Sequence, residues 1–239
     1  MNDEVMYRVL KKDVLKDLPD KMYAVVPFKI DLREYDKKRR EFELAMRMKG
    51  FGYPEALAML NKMRQVAVTE KMNQCVRWIK DILDTGSKLV IFGVHHATID
   101  SLMEEFPKEA VKLDGRDSSA KKDLAVRRFQ EDVDIQLFVG NVEAAGVGID
   151  GLQNACSNVA FIELPWVPAM VDQASDRLHR IGQKDSVMVY YLIAEGTVEE
   201  QVAAKLDHKR TVLDAVVDGK ETEQGSLIME LVGKVGGLV

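Results

Sequence analysis

Apolar positions along this chain change rhythm near residue 88. Ahead of it they recur at helical spacing. One helix is expected from Leu32 to Met48, ended by Gly50 and Gly52, and two more from Pro54 to about Ala67 and from about Thr69 to Leu83. In the last of these Met72, Cys75, Val76, Ile79 and Ile82 form a single stripe, which reads as core packing with an inert Cys75. A mixed-charge segment over residues 6–19 and the short run Tyr23 to Phe28 come first; Pro27 allows the latter an edge strand at best.

From Lys88 onward, short continuous apolar runs alternate with helical stretches. Lys88 to Val94 reads as a strand buried on both faces, followed by a helix from about His96 to Phe106. Val111 to Leu113 is a second strand, and Asp114 to Ser119 leads into a helix reaching about Glu131, its serines suited to capping. Ile135 to Val139, Val159 to Leu164 and Ser186 to Ile193 complete five strands, with a small-residue loop or short helix over Gly140 to Asp150. A last helix starts near Thr197, carries Glu199 and Glu200 in its first turn and runs to about Val217; the tail follows Gly219. Such alternation predicts an α/β fold: a mostly parallel sheet with helices on both faces, functional groups at the carboxyl ends of its strands. The chain divides into a helical extension over 1–85, a core over 86–196, and a carboxyl-terminal helix with tail over 197–239.

Composition narrows the function classes. With 239 residues, 46% apolar and 31% charged, the chain can bury a large core. No apolar run approaches the roughly 20 residues of a membrane span, and the amino terminus is too charged for a signal peptide. Cys75 and Cys156 are far apart and outside metal-ligand spacing, which points to a reducing, intracellular setting such as cytoplasm, nucleoid or nucleus. A net charge of −5 argues against indiscriminate nucleic-acid binding but leaves room for a local basic groove. The basic run Lys37 to Arg40 reads as a solvated helix face. His95 and His96 are adjacent and therefore point apart, so no metal site is expected from them.

One stretch carries candidate chemistry. Asp172 to Gln183, DQASDRLHRIGQ, follows Pro165-Trp166-Val167-Pro168 and reads as a helix with proline in its first turn. Gln173, Arg177 and Arg180 share one side at i, i+4 and i+7, while Ala174, Leu178 and Ile181 share the side that packs on a sheet. Two guanidinium groups one turn apart suit a clamp for polyphosphate oxygens, because arginine is always charged and donates bidentately.

Residues 173–183 resemble motif VI of the Swi/Snf-type ATPases, a branch of the superfamily-two helicases. Other segments resemble that family in its own order. Lys88 to Phe106 is similar to motif IV, Leu113-Asp114-Gly115 through Arg128-Phe129 to the next block, and Gly140 to Asp150 to motif V. Upstream, Arg8 through Leu18-Pro19 and Met63-Arg64-Gln65-Val66 resemble family junction blocks. The resemblance implies the second of two RecA-like lobes. No G-x-x-x-x-G-K-S/T loop occurs, and Asp3-Glu4 follows no apolar strand, so ATP and Mg²⁺ would be held only with the missing amino-terminal lobe, in the same polypeptide or another chain.

By the same resemblance, Arg177 and Arg180 are the implied arginine fingers and Gln173 lies beside them. Gly146 and Gly148 allow close backbone approach, and Asp150 faces the nucleotide sugar or an arginine. The motif V-like loop departs from the family pattern at Glu143, Ala145 and Asp150. Double-stranded DNA would lie across strand ends, held by backbone phosphates, with Asn141, Arg116, Ser118, His95 and His96 as implied contacts. The function implied is DNA-stimulated ATP hydrolysis coupled to translocation. The alternative is a stand-alone, non-catalytic module that binds DNA or protein. A Rossmann-type nucleotide site is unsupported, because Gly93 stands alone after the first strand.

Overall fold

A computed structural model describes residues 18–48, 52–113, 115, 117–145 and 150–213. Most of the segment over 6–19, Gly50, Arg116, Gly146, Gly148 and everything beyond 213 lie outside the described residues. In chain order the elements are β1 (Lys21–Phe28), α1 (Arg33–Met46), α2 (Tyr53–Asp84), β2 (Leu89–Gly93), α3 (His96–Glu105) and β3 (Ala110–Leu113). They continue with α4 (Ser119–Glu131), β4 (Leu137–Asn141), α5 (Val142–Ala145), β5 (Asn158–Phe161), α6 (Pro168–Ser175), β6 (Val187–Ala194) and α7 (Val198–Leu213).

The strands form one six-stranded sheet in the order β1-β6-β5-β2-β4-β3, and every pairing is parallel. All carboxyl ends therefore lie on one edge of the sheet and all amino ends on the other. β1 is an edge strand, as its proline requires, and pairs with β6 from Lys21↔Val187 to Phe28↔Ala194. The first 85 residues thus contribute a strand to the same sheet as the core.

Side chains of the inner strands alternate between two apolar layers. Val90, Phe92 and Phe138 point into one with Phe42, Leu60, Phe129, Val171 and Val202; Leu89, Ile91 and Val139 point into the other with Ile79, Ile99 and Leu102. The two helices expected over 54–83 are one helix of 32 residues, α2. At 1.5 Å per residue it is about 48 Å long. Its first half buries Leu60, Met63 and Ala67 in one layer and its second half buries Val76, Ile79 and Leu83 in the other. The change of buried face near Val68 imitates a break in the pattern, although no glycine or proline interrupts 55–83.

A buried ion pair fastens the end of the fold. Lys71 Nζ of α2 lies 2.6 Å from Glu199 Oε2 of α7, with side chains 0% and 3% exposed, and 2.6 Å from the Leu192 carbonyl. The same Glu199 oxygen accepts from Ala194 N at 2.8 Å. Tyr35 of α1 accepts from Val198 N at 2.7 Å, and burial pushes its phenol up to about 12. Both cysteines are buried thiols raised to about 12 by burial, as suits inert packing residues.

Candidate functional site

The stretch expected as one helix through Gln183 stops at Ser175. Beyond it i−3 bonds enter, Arg177 N to Ala174 O at 3.1 Å and Leu178 N to Ser175 O at 3.0 Å, beside a last i−4 bond from His179 N to Ser175 O at 3.1 Å, and the chain turns. Arg177 and Arg180 line one cleft from a turn whose neighbouring residues are tied down, not from a continuous helix. Asp176 receives Lys21 Nζ at 2.6 Å, Leu178 is fully buried, and His179 Nε2 meets the Pro19 carbonyl at 2.7 Å. Gly182 takes φ +101°, a left-handed turn that a Cβ would strain. Gln183 closes the loop: its amide donates to Cys156 O and Leu178 O at 2.9 and 3.2 Å and accepts from Lys184 N at 2.9 Å.

This loop borders an open cleft of about 500 Å³ lined by Asp150, Gln153, Gln173, Asp176, Arg177, Arg180 and Ile181. Arg180 Nη1 lies 3.1 Å from Asp150 Oδ1. Hydrogen bonds from Gln153 and then Arg180 hold the Asp150 carboxyl below its usual range. Burial, and then repulsion from Arg180, lowers the proton affinity of Arg177. A half-buried cation beside another cation is a site that favours an added anion.

The anchors of this loop fix its position. Pro19 and Lys21 open β1, and Cys156 precedes β5, so the arginines sit at the amino-terminal edge of the sheet. The expectation that all candidate groups gather at carboxyl ends is corrected here. α6 returns antiparallel to β5 and carries the loop back across the sheet, which the strand-then-helix pattern implies once followed past Pro168.

At the carboxyl edge β2, β4 and β3 are neighbours. They bring together His95 and His96 after β2, Asn141 at the end of β4, and Ser118 at the start of α4. His96 and Ser118 are exposed. Ser118 occupies the N-cap through its backbone and its hydroxyl makes no capping bond. Asn141 is 6% exposed with both ends of its amide engaged, Nδ2 on Val94 O at 2.7 Å and Oδ1 under Glu143 N at 2.8 Å. His95 is held by Glu163, as described below.

Residues 70–182 match the family described as Helicase conserved C-terminal domain. The chain is 31% identical over 227 residues to the DNA annealing helicase and endonuclease ZRANB3 of Mus musculus, across 92% of this chain and 21% of that protein. It is 34% identical over 232 residues to the SWI/SNF-related matrix-associated actin-dependent regulator of chromatin subfamily A-like protein 1 homolog of Caenorhabditis elegans, across 93% of this chain and 33% of that one. The chain belongs to the Swi/Snf family, as a C-terminal helicase lobe. It spans between a fifth and a third of the length of these two relatives. The Swi/Snf lobe shares its RecA-like fold with the Sulfolobus solfataricus SWI2/SNF2 ATPase core in complex with dsDNA, at a TM-score of 0.69 and 24% identity, over 94% of this chain and 52% of that one.

Glu163 and Lys71 stand out in the structure of this Swi/Snf lobe but not in its sequence, where Arg64 is legible only as part of a family block. Glu163 is 1% exposed within Val159–Leu164, and Arg64 and Lys71 are buried on α2. The Arg64 guanidinium lies 4.3 Å over the Trp166 ring and donates to the Leu164 carbonyl, while Trp166 Nε1 donates to Asn61 at 3.0 Å. These contacts fix the approach to α6. A signal was present: a lone charge inside an otherwise apolar buried pattern must find a partner. Among the described residues no three metal-ligating side chains are gathered, and no helix is long and apolar enough to cross a membrane.

Proposed function

We propose that this lobe is the second motor half of an intracellular, DNA-dependent ATPase that moves along double-stranded DNA. The observation that carries the reading is the pairing of Arg177 and Arg180 on an open cleft, in a chain without a phosphate loop. Two adjacent guanidinium groups on a cleft of this size fit a polyphosphate chain. The described residues offer no acidic cluster for Mg²⁺, which would belong with the missing amino-terminal lobe. MgATP, when bound there, supplies the phosphoryl group that is transferred to water.

Arg177 and Arg180 then act as arginine fingers, neutralising charge that grows on the γ-phosphoryl oxygens. Asp150 pairs with Arg180 and holds that side chain at the cleft between turnovers. Gln173 lines the same cleft, and Gly146 and Gly148, outside the described residues, are assigned to close backbone approach by resemblance alone. His95, His96, Asn141 and Ser118 form the face assigned to the DNA backbone, and Arg116, outside the described residues, is assigned to it by resemblance alone. Of the 1–85 extension, β1, α1 and α2 brace the 86–196 core, and of the 197–239 segment α7 extends it. The ZRANB3 relative is named a DNA annealing helicase and the Sulfolobus core is seen with dsDNA, which supports DNA as the track.

Supplying the amino-terminal lobe in cis or in trans and measuring ATP turnover with and without duplex DNA tests the reading. DNA-stimulated turnover is expected from the pair and none from this chain alone. Turnover by the chain alone, or by the pair after Arg177→Ala and Arg180→Ala, overturns it.

A further inference from the structure

Glu163 has no role in the function proposed above, yet it is the most enclosed acid beside the DNA-facing edge. Its side chain is 1% exposed. One carboxylate oxygen accepts both Val94 N at 2.7 Å and His95 N at 2.9 Å, and the other lies 2.6 Å from His95 Nδ1. Gly93 leaves the room it needs, since a Cβ there would stand 3.2 Å from Glu163 Oε2. Asn141 grips the same corner from the other side through the Val94 carbonyl. Although burial alone would raise this carboxyl, the side-chain and backbone hydrogen bonds from His95 hold it below its usual range.

We propose that Glu163 is a positioning residue that fixes the His95 imidazole with Nδ1 protonated and directed inward, so that Nε2 is the atom offered to a DNA phosphate. The inference rests on His95 facing DNA, as proposed above. A carboxylate only accepts hydrogen bonds, so the proton between the two groups belongs on Nδ1. The ring is 23% exposed and makes no other hydrogen bond among the described residues, which leaves Nε2 for an outside ligand. A phosphate oxygen also only accepts. Gripping one therefore requires a proton on Nε2 as well, so that the bound ring directs one N–H at Glu163 and the other at the phosphate. Among the described residues the charged or titratable groups at this corner are Glu163 after β5, His96 next in the chain on α3, and Arg64 of α2, which interacts with Glu163.

The test has two arms. In this chain, nitrogen-15 spectra of the imidazoles, with His95 assigned by its loss in His95→Ala, should show a protonated Nδ1 and a bare Nε2 when the ring is neutral. The opposite tautomer overturns the proposal without any Glu163 variant having to fold. In the two-lobe protein, Glu163→Gln should raise the DNA concentration for half-maximal ATP turnover by about tenfold, the loss of one charge-assisted hydrogen bond. KM for DNA should carry more of the loss than kcat. In a His95→Ala background the same change should add less than about twofold. Equal effects in both backgrounds mean that Glu163 only supports the fold, and overturn the proposal. If the unmodified two-lobe protein shows no DNA stimulation, the DNA-dependent reading fails instead, and the tautomer still decides what Glu163 does.

Discussion

The two edges of the sheet hold their charged groups in opposite ways. At the amino edge, Arg177 and Arg180 project from a loop whose other residues are tied to β1 and to the chain ahead of β5, so the backbone is rigid while the cations face an open cleft. At the carboxyl edge, the side chains themselves are locked, Glu163 on His95 and Asn141 on Val94. An edge can thus be prepared for a mobile polyanion with half-buried arginines on a tied-down backbone, or for a fixed contact with one oriented ring. α6 joins the two. At eight residues it is about 12 Å long, and it starts from the Arg64–Trp166 contact beside Glu163.

Separating the edges by mutation should have its largest effect at the arginines. In the two-lobe protein, Arg180→Ala and Arg177→Ala should each lower kcat by about 10³-fold or more. Half-saturating DNA should shift by less than about twofold, because the other edge is untouched. Steady-state turnover titrated with DNA checks both numbers. A large change in DNA affinity would break the division of labour.

The comparison is sharpened by a residue that serves neither edge. Lys71→Ala leaves Glu199 buried without its cation, and chemical denaturation should show a loss of about 3–5 kcal/mol. Gly182→Ala is smaller: the left-handed turn beside Arg180 should cost about 1–2 kcal/mol and disturb the arginine loop before the His95 corner. Amide exchange in the two segments reports which loosens first.

The smallest effect concerns acid. The Glu163 carboxyl is depressed in the folded state, so its contribution to stability is present above the unfolded glutamate value of roughly 4.3 and is lost as pH falls through the lower folded value. Glu163→Gln should flatten that part of the acid limb. Denaturant midpoints measured across the acid range decide it.

Much of the fold was legible in the sequence because burial on both faces writes a strand as an unbroken apolar run, as in Leu89–Gly93. The long α2 was misread as two helices because its buried face changes sides midway, which periodicity cannot distinguish from a break. The arginine pair was legible by type and spacing. Its geometry was not, since Pro19, Lys21 and Cys156 reach the loop from positions far away in sequence. Glu163 stood in plain view among apolar neighbours, but its partner is 68 residues distant, and only the β2–β5 pairing brings His95 to it.

The proposed division of labour gives turnover to the amino edge and grip to the carboxyl edge. One titration tests it most directly: ATP turnover of the two-lobe protein against duplex DNA concentration, for Arg180→Ala and His95→Ala side by side. Arg180→Ala should collapse the plateau at nearly constant half-saturation, and His95→Ala should move half-saturation about tenfold with a smaller loss of plateau. A plateau that survives Arg180→Ala, or two variants that shift plateau and half-saturation alike, would contradict it.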